Sequence, residues 1–166
     1  PGLESIKNVS TQATPGSNKN ILIVSQPNVL NGTFESIFNV KIKKNRLINL
    51  IHAAHLKNDF DSNLFFRPHP KDQDSFILPN GIKLDKSNKK NIFIKYDIFI
   101  GFDSILLFEA HLSGRKSISL ELPEIDKIIS ESIPYNYSLN INNISHLHSA
   151  ISSKFKGVEQ SVFADS

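Results

Sequence analysis

The sequence has 166 residues, of which 39% are hydrophobic and 21% are charged, a composition typical of folded globular proteins and unlike that of disordered or collagen-like chains. It contains no cysteine, which excludes disulfide bonds, thiolate zinc sites and a catalytic thiol. The net charge of +3 permits an anionic ligand, but no basic arm of the kind that binds nucleic acid is present, so we expect no nucleic-acid partner.

The composition along the chain predicts one domain with short flanking segments. Residues 1–19 combine Ser, Thr, Pro and Gly with little periodicity, as a linker or tail does. One α/β domain is expected over 20–158, followed by a C-terminal tail over 159–166. The chain begins at Pro1 and has no methionine, which indicates processing or a piece of a longer protein. Because no secretory signal opens the chain and no apolar run approaches the roughly 20 residues of a membrane span, a cytoplasmic location is expected.

Short apolar runs bounded by turn residues predict buried strands. In chain order, these strands are predicted over 21–24, 63–67, 82–84, 97–101 and 117–120. Residues 92–95 fit either a short strand or the end of a small helix. Proline cannot extend a central strand, so Pro68 and Pro70 fix where the second strand stops.

Three helices are predicted between and after these strands. Apolar residues at positions 47, 50, 51 and 54 follow the i, i+3, i+4, i+7 spacing of an amphipathic helix, which we expect over 40–58. The second helix is expected over 105–112, with Ser104 as its N-cap and Gly114 after its end, and the third over 144–155. Strands that alternate with helices predict an α/β fold with a Rossmann-like, doubly wound parallel sheet.

Donor-rich side chains follow the second predicted strand. In an open parallel sheet, ligands bind beyond the carboxyl ends of the strands, and the segment Arg67-Pro68-His69-Pro70-Lys71 lies at such an end. The two prolines stiffen the loop around the histidine. Arg67, His69 and Lys71 together offer hydrogen-bond donors suited to phosphate oxygens. A surface loop with a structural histidine is the alternative interpretation.

A second candidate segment begins at Gly101, where the absence of a side chain allows a ligand to approach the backbone. Asp103 follows, and Ser104 caps a helix whose free amides and positive dipole end favour anions. Glu109 lies within an otherwise apolar part of this helix, where a carboxylate needs hydrogen-bond donors. Ribose hydroxyls are one source of such donors, and a lysine partner or solvent is the other.

Together these segments resemble a known group of enzymes. Arg67-Pro68-His69-Pro70 after one strand, followed by Asp103-Ser104 with Glu109-Ala110 and Gly114, is similar to the C-terminal, nucleotide-sugar-binding half of GT-B glycosyltransferases. The similarity spans about 20–122. The nearest groups in pattern are the bacterial sialyltransferases and polysialyltransferases and the Kdo transferases of capsule export. Teichoic-acid polymerases and UDP-N-acetylglucosamine 2-epimerases are more distant.

The resemblance implies a role for each site residue. His69 is the implied catalytic residue, because it would bind the donor phosphate and stabilise the departing nucleotide. Arg67 and Ser104 would bind the same phosphate, and Glu109 would hold the ribose. Supporting roles fall to the remaining residues of the two segments: Lys71, Gly101 and Asp103. The donor would be a CMP- or UDP-activated sugar, with no metal or other cofactor required.

The resemblance also implies partners for this chain. A GT-B enzyme carries its acidic general base in the N-terminal half, so we expect an N-terminal acceptor-binding domain and a glycan acceptor, in bacterial surface polysaccharide or lipooligosaccharide synthesis. The chain alone is expected to bind nucleotide without transferring sugar. The basic cluster at 41–46 fits peripheral contact with the inner membrane, although a solvated helix face is the alternative.

The sequence also allows other functions and contains other candidate sites. A nucleotide-sugar 2-epimerase and a non-catalytic α/β binding domain that kept the fold remain alternatives. Asp59-Phe60-Asp61 has the spacing of an acidic metal motif, but it precedes a strand, at the wrong end for a ligand site. His52 and His55 lie one helical turn apart without a third ligand. No metal site is therefore expected.

Overall fold

The fold is described from a computed structural model of the chain. The residues described are 18–25, 45, 47–57, 61–70, 77–102, 104–120 and 138–154. Asp103 and Lys71, two of the residues assigned supporting roles, lie outside this set. So do the basic residues of the cluster at 41–46 and most of the predicted terminal segments.

The described chain contains a six-stranded sheet in which every neighbouring pair of strands is parallel. The strands are β1 (Lys19–Val24), β2 (Ser62–Arg67), β3 (Ile82–Leu84), β4 (Ile98–Gly101), β5 (Lys116–Leu120) and β6 (Leu139–Ile141). Their order across the sheet is β3-β2-β1-β4-β5-β6, so the direction of progression reverses between β1 and β4. This arrangement confirms the predicted Rossmann-like, doubly wound α/β fold.

Helices cover both faces of the sheet. They are α1 (helical residues 47–57), α2 (Lys89–Lys95), α3 (Ile105–Leu112) and α4 (Leu147–Ser152), the last preceded by a 3₁₀ turn over Ile144–His146. One core cluster joins the sheet to α1 and α4, and a second joins the opposite face to α2 and α3. Because side chains alternate along a strand, Phe66 and Ile100 belong to the first core while Phe65 and Phe99 belong to the second.

The boundaries of α3 follow from its sequence. Ser104 has an extended backbone, and its side chain accepts a hydrogen bond from the Leu106 amide, as an N-cap does. At the other end, Gly114 adopts a left-handed φ of 73°. The Gly114 and Arg115 amides donate to the carbonyls of His111 and Ala110, which closes the helix in a Schellman motif. The predicted helix and both of its end signals are confirmed.

Other elements differ from their predicted bounds in informative ways. Residues 92–95 belong to the small helix α2, which begins at Lys89 with Asn88 as its N-cap. The last helix ends at Ser152, three residues before its predicted end, and opens with the 3₁₀ turn. The sequence interpretation missed β6, because only one of its three residues is buried and no apolar run marks it.

Candidate functional site

The carboxyl ends of β1 and β4 lie side by side at the centre of the sheet, where the strand order reverses. In this type of fold the chain leaves such neighbouring strands towards opposite faces, which opens a crevice for a ligand. The residues at this edge are Ser25 after β1, Gly101 at the end of β4, and Arg67 at the end of β2. The Ser25 amide donates to the Arg67 carbonyl over 3.0 Å, so β2 and β1 remain in register up to the crevice.

The Arg67 side chain is held by two acceptors from the loop that follows β3. Its Nη1 donates to Asp85 Oδ2 over 2.5 Å and to the Ser87 carbonyl over 2.9 Å. The side chain is only 18% exposed. The sequence interpretation assigned Arg67 to a phosphate but did not anticipate these protein partners.

Asp85 is the centre of a buried polar network beneath this edge. Its carboxylate also accepts hydrogen bonds from the Tyr96 hydroxyl over 2.6 Å and from the Ser87 amide over 3.1 Å. Burial alone would raise the pKa of Asp85, but its hydrogen bonds from Ser87, Tyr96 and Arg67 outweigh burial and hold that pKa well below its usual range. Burial and the same carboxylate raise the pKa of Tyr96. Asp85 is therefore a permanent negative charge beside Arg67.

His69 lies two residues beyond the end of β2, and its side chain is partly buried. Pro68 precedes it and Pro70 follows it, so the stiff loop predicted from the sequence begins at the carboxyl edge of the sheet. His69 and Arg67 thus lie at the carboxyl end of the same strand, β2. The catalytic role of His69 stays a prediction.

Gly101 has a structural reason to be glycine. A Cβ atom at this position would lie 2.9 Å from the Val24 carbonyl oxygen and 3.4 Å from Val24 Cβ. Real Cβ atoms do not approach a backbone oxygen so closely, and the backbone of β1 cannot withdraw without disturbing the sheet. The close approach that this glycine allows is therefore that of the neighbouring strand β1, whereas an approach by a ligand stays a prediction.

Ser104 occupies two of the amides that the start of α3 would otherwise leave free, those of Leu106 and Leu107. Its hydroxyl oxygen accepts from the Leu106 amide over 3.3 Å, and its carbonyl accepts from the amides of Leu107 and Phe108 over 2.9 and 3.3 Å. The helix start thus offers fewer amides to an anion than an uncapped helix would. The hydroxyl proton of Ser104 remains able to donate, because a serine hydroxyl can donate one hydrogen bond while it accepts another.

Glu109 has the lysine partner that is one of its two interpretations from the sequence, and its ribose role stays a prediction. Its Oε1 accepts from Lys89 Nζ over 2.8 Å, so the carboxylate has a lysine partner at the start of α2. Its Oε2 is buried and has no hydrogen-bond donor among the described residues. One oxygen is therefore paired with a lysine, and the other is a buried acceptor whose desolvation these residues leave uncompensated.

The site residues of the described chain fall into two groups. Arg67, His69 and Ser104 lie at the carboxyl edge around the β1–β4 crevice, whereas Glu109 lies in the second turn of α3 and contacts the first residue of α2. The missed members are Asp85, Ser87 and Tyr96. The sequence does carry a signal for Asp85, because this residue directly follows the strand predicted over 82–84. Arg67 has a similar position, as the last residue of the strand predicted over 63–67.

The described residues contain no group of three or more His, Asp or Glu side chains placed to hold a metal ion. None of the helices in this part of the chain combines the length and apolar character needed to cross a membrane.

Comparisons with known proteins concern the fold. No protein-family model and no curated protein matches the chain. Among solved structures, it is similar to KpsC of Thermosulfurimonas dismutans, a β-Kdo 2,4-transferase, with a TM-score of 0.49 and 13% sequence identity. The superposition covers 83% of this chain and 45% of that one, so this chain spans less than half the length of that protein.

Proposed function

We propose that this chain is the donor-binding domain of a glycosyltransferase, sialyltransferase-like, that recognises a CMP- or UDP-activated sugar. One observation carries the proposal. The two segments that resemble GT-B motifs, around His69 and Ser104, follow β2 and β4, the strands on either side of β1. They therefore flank the crevice where doubly wound sheets bind nucleotides.

The groups at this edge suit a nucleotide phosphate. Arg67 carries a fixed positive charge, His69 offers ring nitrogens, and the Ser104 hydroxyl can donate while it caps α3. When the bond from sugar to phosphate breaks, negative charge grows on the departing phosphate, and preorganised donors lower the energy of that state. His69 would act there as the catalytic residue, and Arg67 and Ser104 would bind the phosphate.

The ribose would lie against Glu109. Lys89 holds one oxygen of its carboxylate, which fixes the side chain, while Oε2 is buried without a donor in the described chain. A ribose hydroxyl donating to Oε2 would remove that unsatisfied acceptor, which contributes favourably to binding. In this proposal protein groups alone manage the phosphate charge, so adding a metal chelator leaves nucleotide affinity unchanged.

The proposal is tested by calorimetric titration with CMP and with UDP. We expect binding of at least one of them, and His69→Ala should weaken it about tenfold, which corresponds to roughly 1.4 kcal/mol. His146→Ala is the matched control, because His146 is an exposed histidine of the 3₁₀ turn before α4, beyond the far strand β6. The affinity of His146→Ala for CMP and UDP should equal that of the unchanged protein.

In this proposal a second domain, and not this chain, binds the glycan acceptor. An N-terminal domain would supply the general base and bind the glycan acceptor, so this chain alone binds nucleotide without sugar transfer. Its place would be in the cytoplasm, in bacterial surface polysaccharide or lipooligosaccharide synthesis, with peripheral contact at the inner membrane. A transfer assay with labelled donor should show turnover only when the second domain is present.

A non-catalytic binding domain is the second candidate. It is favoured by the finding that three of the site residues have a structural role. Arg67 forms a salt bridge with Asp85, and Glu109 forms one with Lys89. Gly101 allows the close approach of Val24. The same titration separates the two functions. A folded protein that binds neither CMP nor UDP contradicts the donor-binding proposal and supports this alternative.

A further inference from the structure

A buried carboxylate lies directly behind the candidate phosphate site. Asp85 follows β3, and its backbone amide donates to the carbonyl of Phe66, the residue before Arg67, over 2.8 Å. Its side chain is fully buried. A buried charge is costly unless donors surround it, so each group that contacts Asp85 matters for its role.

The two oxygens of this carboxylate have different partners. Oδ1 accepts from the Tyr96 hydroxyl over 2.6 Å, the Ser87 amide over 3.1 Å and Lys95 Nζ over 3.4 Å. Oδ2 accepts from Arg67. The loop after β3 and the end of α2 therefore fix the carboxylate through one oxygen, which leaves the other to hold the guanidinium.

The contact uses only one nitrogen of the guanidinium. Both protons of Arg67 Nη1 are committed, one to Asp85 Oδ2 and one to the Ser87 carbonyl. The Nε and Nη2 groups carry the remaining three of the five donors of an arginine and have no hydrogen-bond partner within the described part of the chain. Arginine–carboxylate pairs are frequently two-pronged, with two guanidinium nitrogens facing the carboxylate, whereas this pair leaves the Nε and Nη2 edge uncommitted among the described residues.

We propose that Asp85 is a positioning residue, which holds Arg67 by Nη1 so that its Nε and Nη2 edge is presented to two phosphate oxygens of the nucleotide. This inference rests on the proposed function and adds to it the group that orients the phosphate ligand. Tyr96 supports the same arrangement, because its hydroxyl donates to Oδ1 of Asp85 while Arg67 donates to Oδ2. A guanidinium group that the protein already holds in place loses less conformational freedom on binding than a free arginine side chain does.

The test is a double-mutant cycle on ligand affinity, with CMP, UDP and inorganic pyrophosphate as probes. The variants are Asp85→Asn, Arg67→Ala and their combination, and circular dichroism confirms that each is folded. We expect Asp85→Asn to weaken binding about five- to tenfold and Arg67→Ala to weaken it at least as much. In the Arg67→Ala background, Asp85→Asn should change affinity less than twofold, because its effect passes through the arginine.

A second variant keeps the test decisive if Asp85→Asn does not fold. Tyr96→Phe removes one of the hydrogen bonds to Asp85 and should weaken binding two- to threefold, again only when Arg67 is present. Equal losses with and without Arg67 would show a general structural effect and overturn the inference, as would unchanged affinity in folded Asp85→Asn.

The pyrophosphate probe separates this inference from the proposed function. Arg67- and Asp85-dependent binding of pyrophosphate, with no binding of CMP or UDP, would contradict the donor proposal and support the oriented arginine. A folded protein that binds none of the three probes overturns both.

Discussion

Lys116 is a buried lysine at the start of β5, on the opposite edge of the sheet from the candidate site. Its ammonium donates to the carbonyls of Ile151 and Ser153 over 3.1 and 2.6 Å, so it holds the last turn of α4 and the residue after it. Burial, with a further contribution from the positive charge of Lys19, lowers the pKa of Lys116 from 10.5 to about 8. The folded protein therefore binds this proton less tightly than the unfolded chain does.

The sign of the resulting pH dependence follows from that difference. Between about pH 8 and pH 10.5 the unfolded chain keeps the Lys116 proton while the folded protein has lost it. The free energy of unfolding therefore rises with pH across this window, by an amount of up to about 3 kcal/mol from this group. Below pH 8 both states hold the proton, and the contribution is constant.

Urea unfolding at a series of pH values measures this contribution as a difference between variants. Lys116→Met should remove the rise, whereas Lys90→Met, a change at an exposed lysine of α2, should leave it as in the unchanged protein. Parallel pH profiles for Lys116→Met and the unchanged protein would contradict the assignment.

At the scale of elements, two N-caps allow stability and binding to be separated. Ser104 caps α3 beside the central crevice, and Asn143 caps the 3₁₀ turn after β6 by accepting from the Ser145 amide over 2.9 Å. Ser104→Ala and Asn143→Ala should each lower the free energy of unfolding by about 1 kcal/mol, since each leaves an amide without its acceptor. Only Ser104→Ala should also weaken CMP or UDP binding in calorimetry.

The comparison of these two caps discriminates between roles for Ser104. If both variants lose stability and neither changes nucleotide affinity, Ser104 acts as a cap alone. If Asn143→Ala weakens binding as much as Ser104→Ala does, the loss reflects general destabilisation and the phosphate role of the serine is wrong.

The sequence pattern predicts the elements that a buried apolar run, a cap or a neighbouring turn marks. The central strands contain continuous apolar runs because both faces of the sheet are covered, and the cap and end signals of α3 are local. β6 lies at the edge of the sheet, where two of its three residues are exposed, so burial imposes no apolar run on it. In α2 one residue, Ile92, is buried, and its weak periodicity left strand and helix open.

The candidate site shows the same division between local and distant causes. The sequence places Arg67, His69 and Ser104 at the carboxyl edge, because each ends or follows a predicted strand. It does not predict their partners. The contact of Arg67 with Asp85 depends on the pairing of β2 with β3, and the contact of Glu109 with Lys89 depends on the packing of α2 beside α3. Such contacts join residues about 20 positions apart, beyond any local pattern.

At the scale of the whole molecule, the sheet should be most stable at its centre. Residues of β1, β4 and β5 such as Ile23, Ile100 and Ile118 are completely buried, and each of these strands has a partner on both sides. The edge strands β3 and β6 have one partner in the described chain and expose Leu84 and Leu139. We therefore expect the slowest amide hydrogen exchange in the central strands.

Hydrogen exchange followed by mass spectrometry or nuclear magnetic resonance measures this order directly, and the edge strands serve as the internal comparison. Amides of β3 and β6 should exchange through local opening, and those of β1, β4 and β5 only through opening of the whole domain. Equal protection across all six strands would contradict this gradient.

The position of β1 also bears on how the chain acquires its structure. The first strand of the described chain lies at the centre of the sheet, and the residues that pair with it in its two neighbours are 43 and 77 positions further along the sequence. During synthesis this apolar strand therefore remains unpaired until β2 and β4 have been made. Closing the intervening loops carries an entropy cost before any strand pairing is gained. Topologies dominated by such distant pairings fold slowly. Until β2 and β4 are available to pair, the apolar segment Ile21–Val24 is exposed, which makes it prone to aggregation during folding.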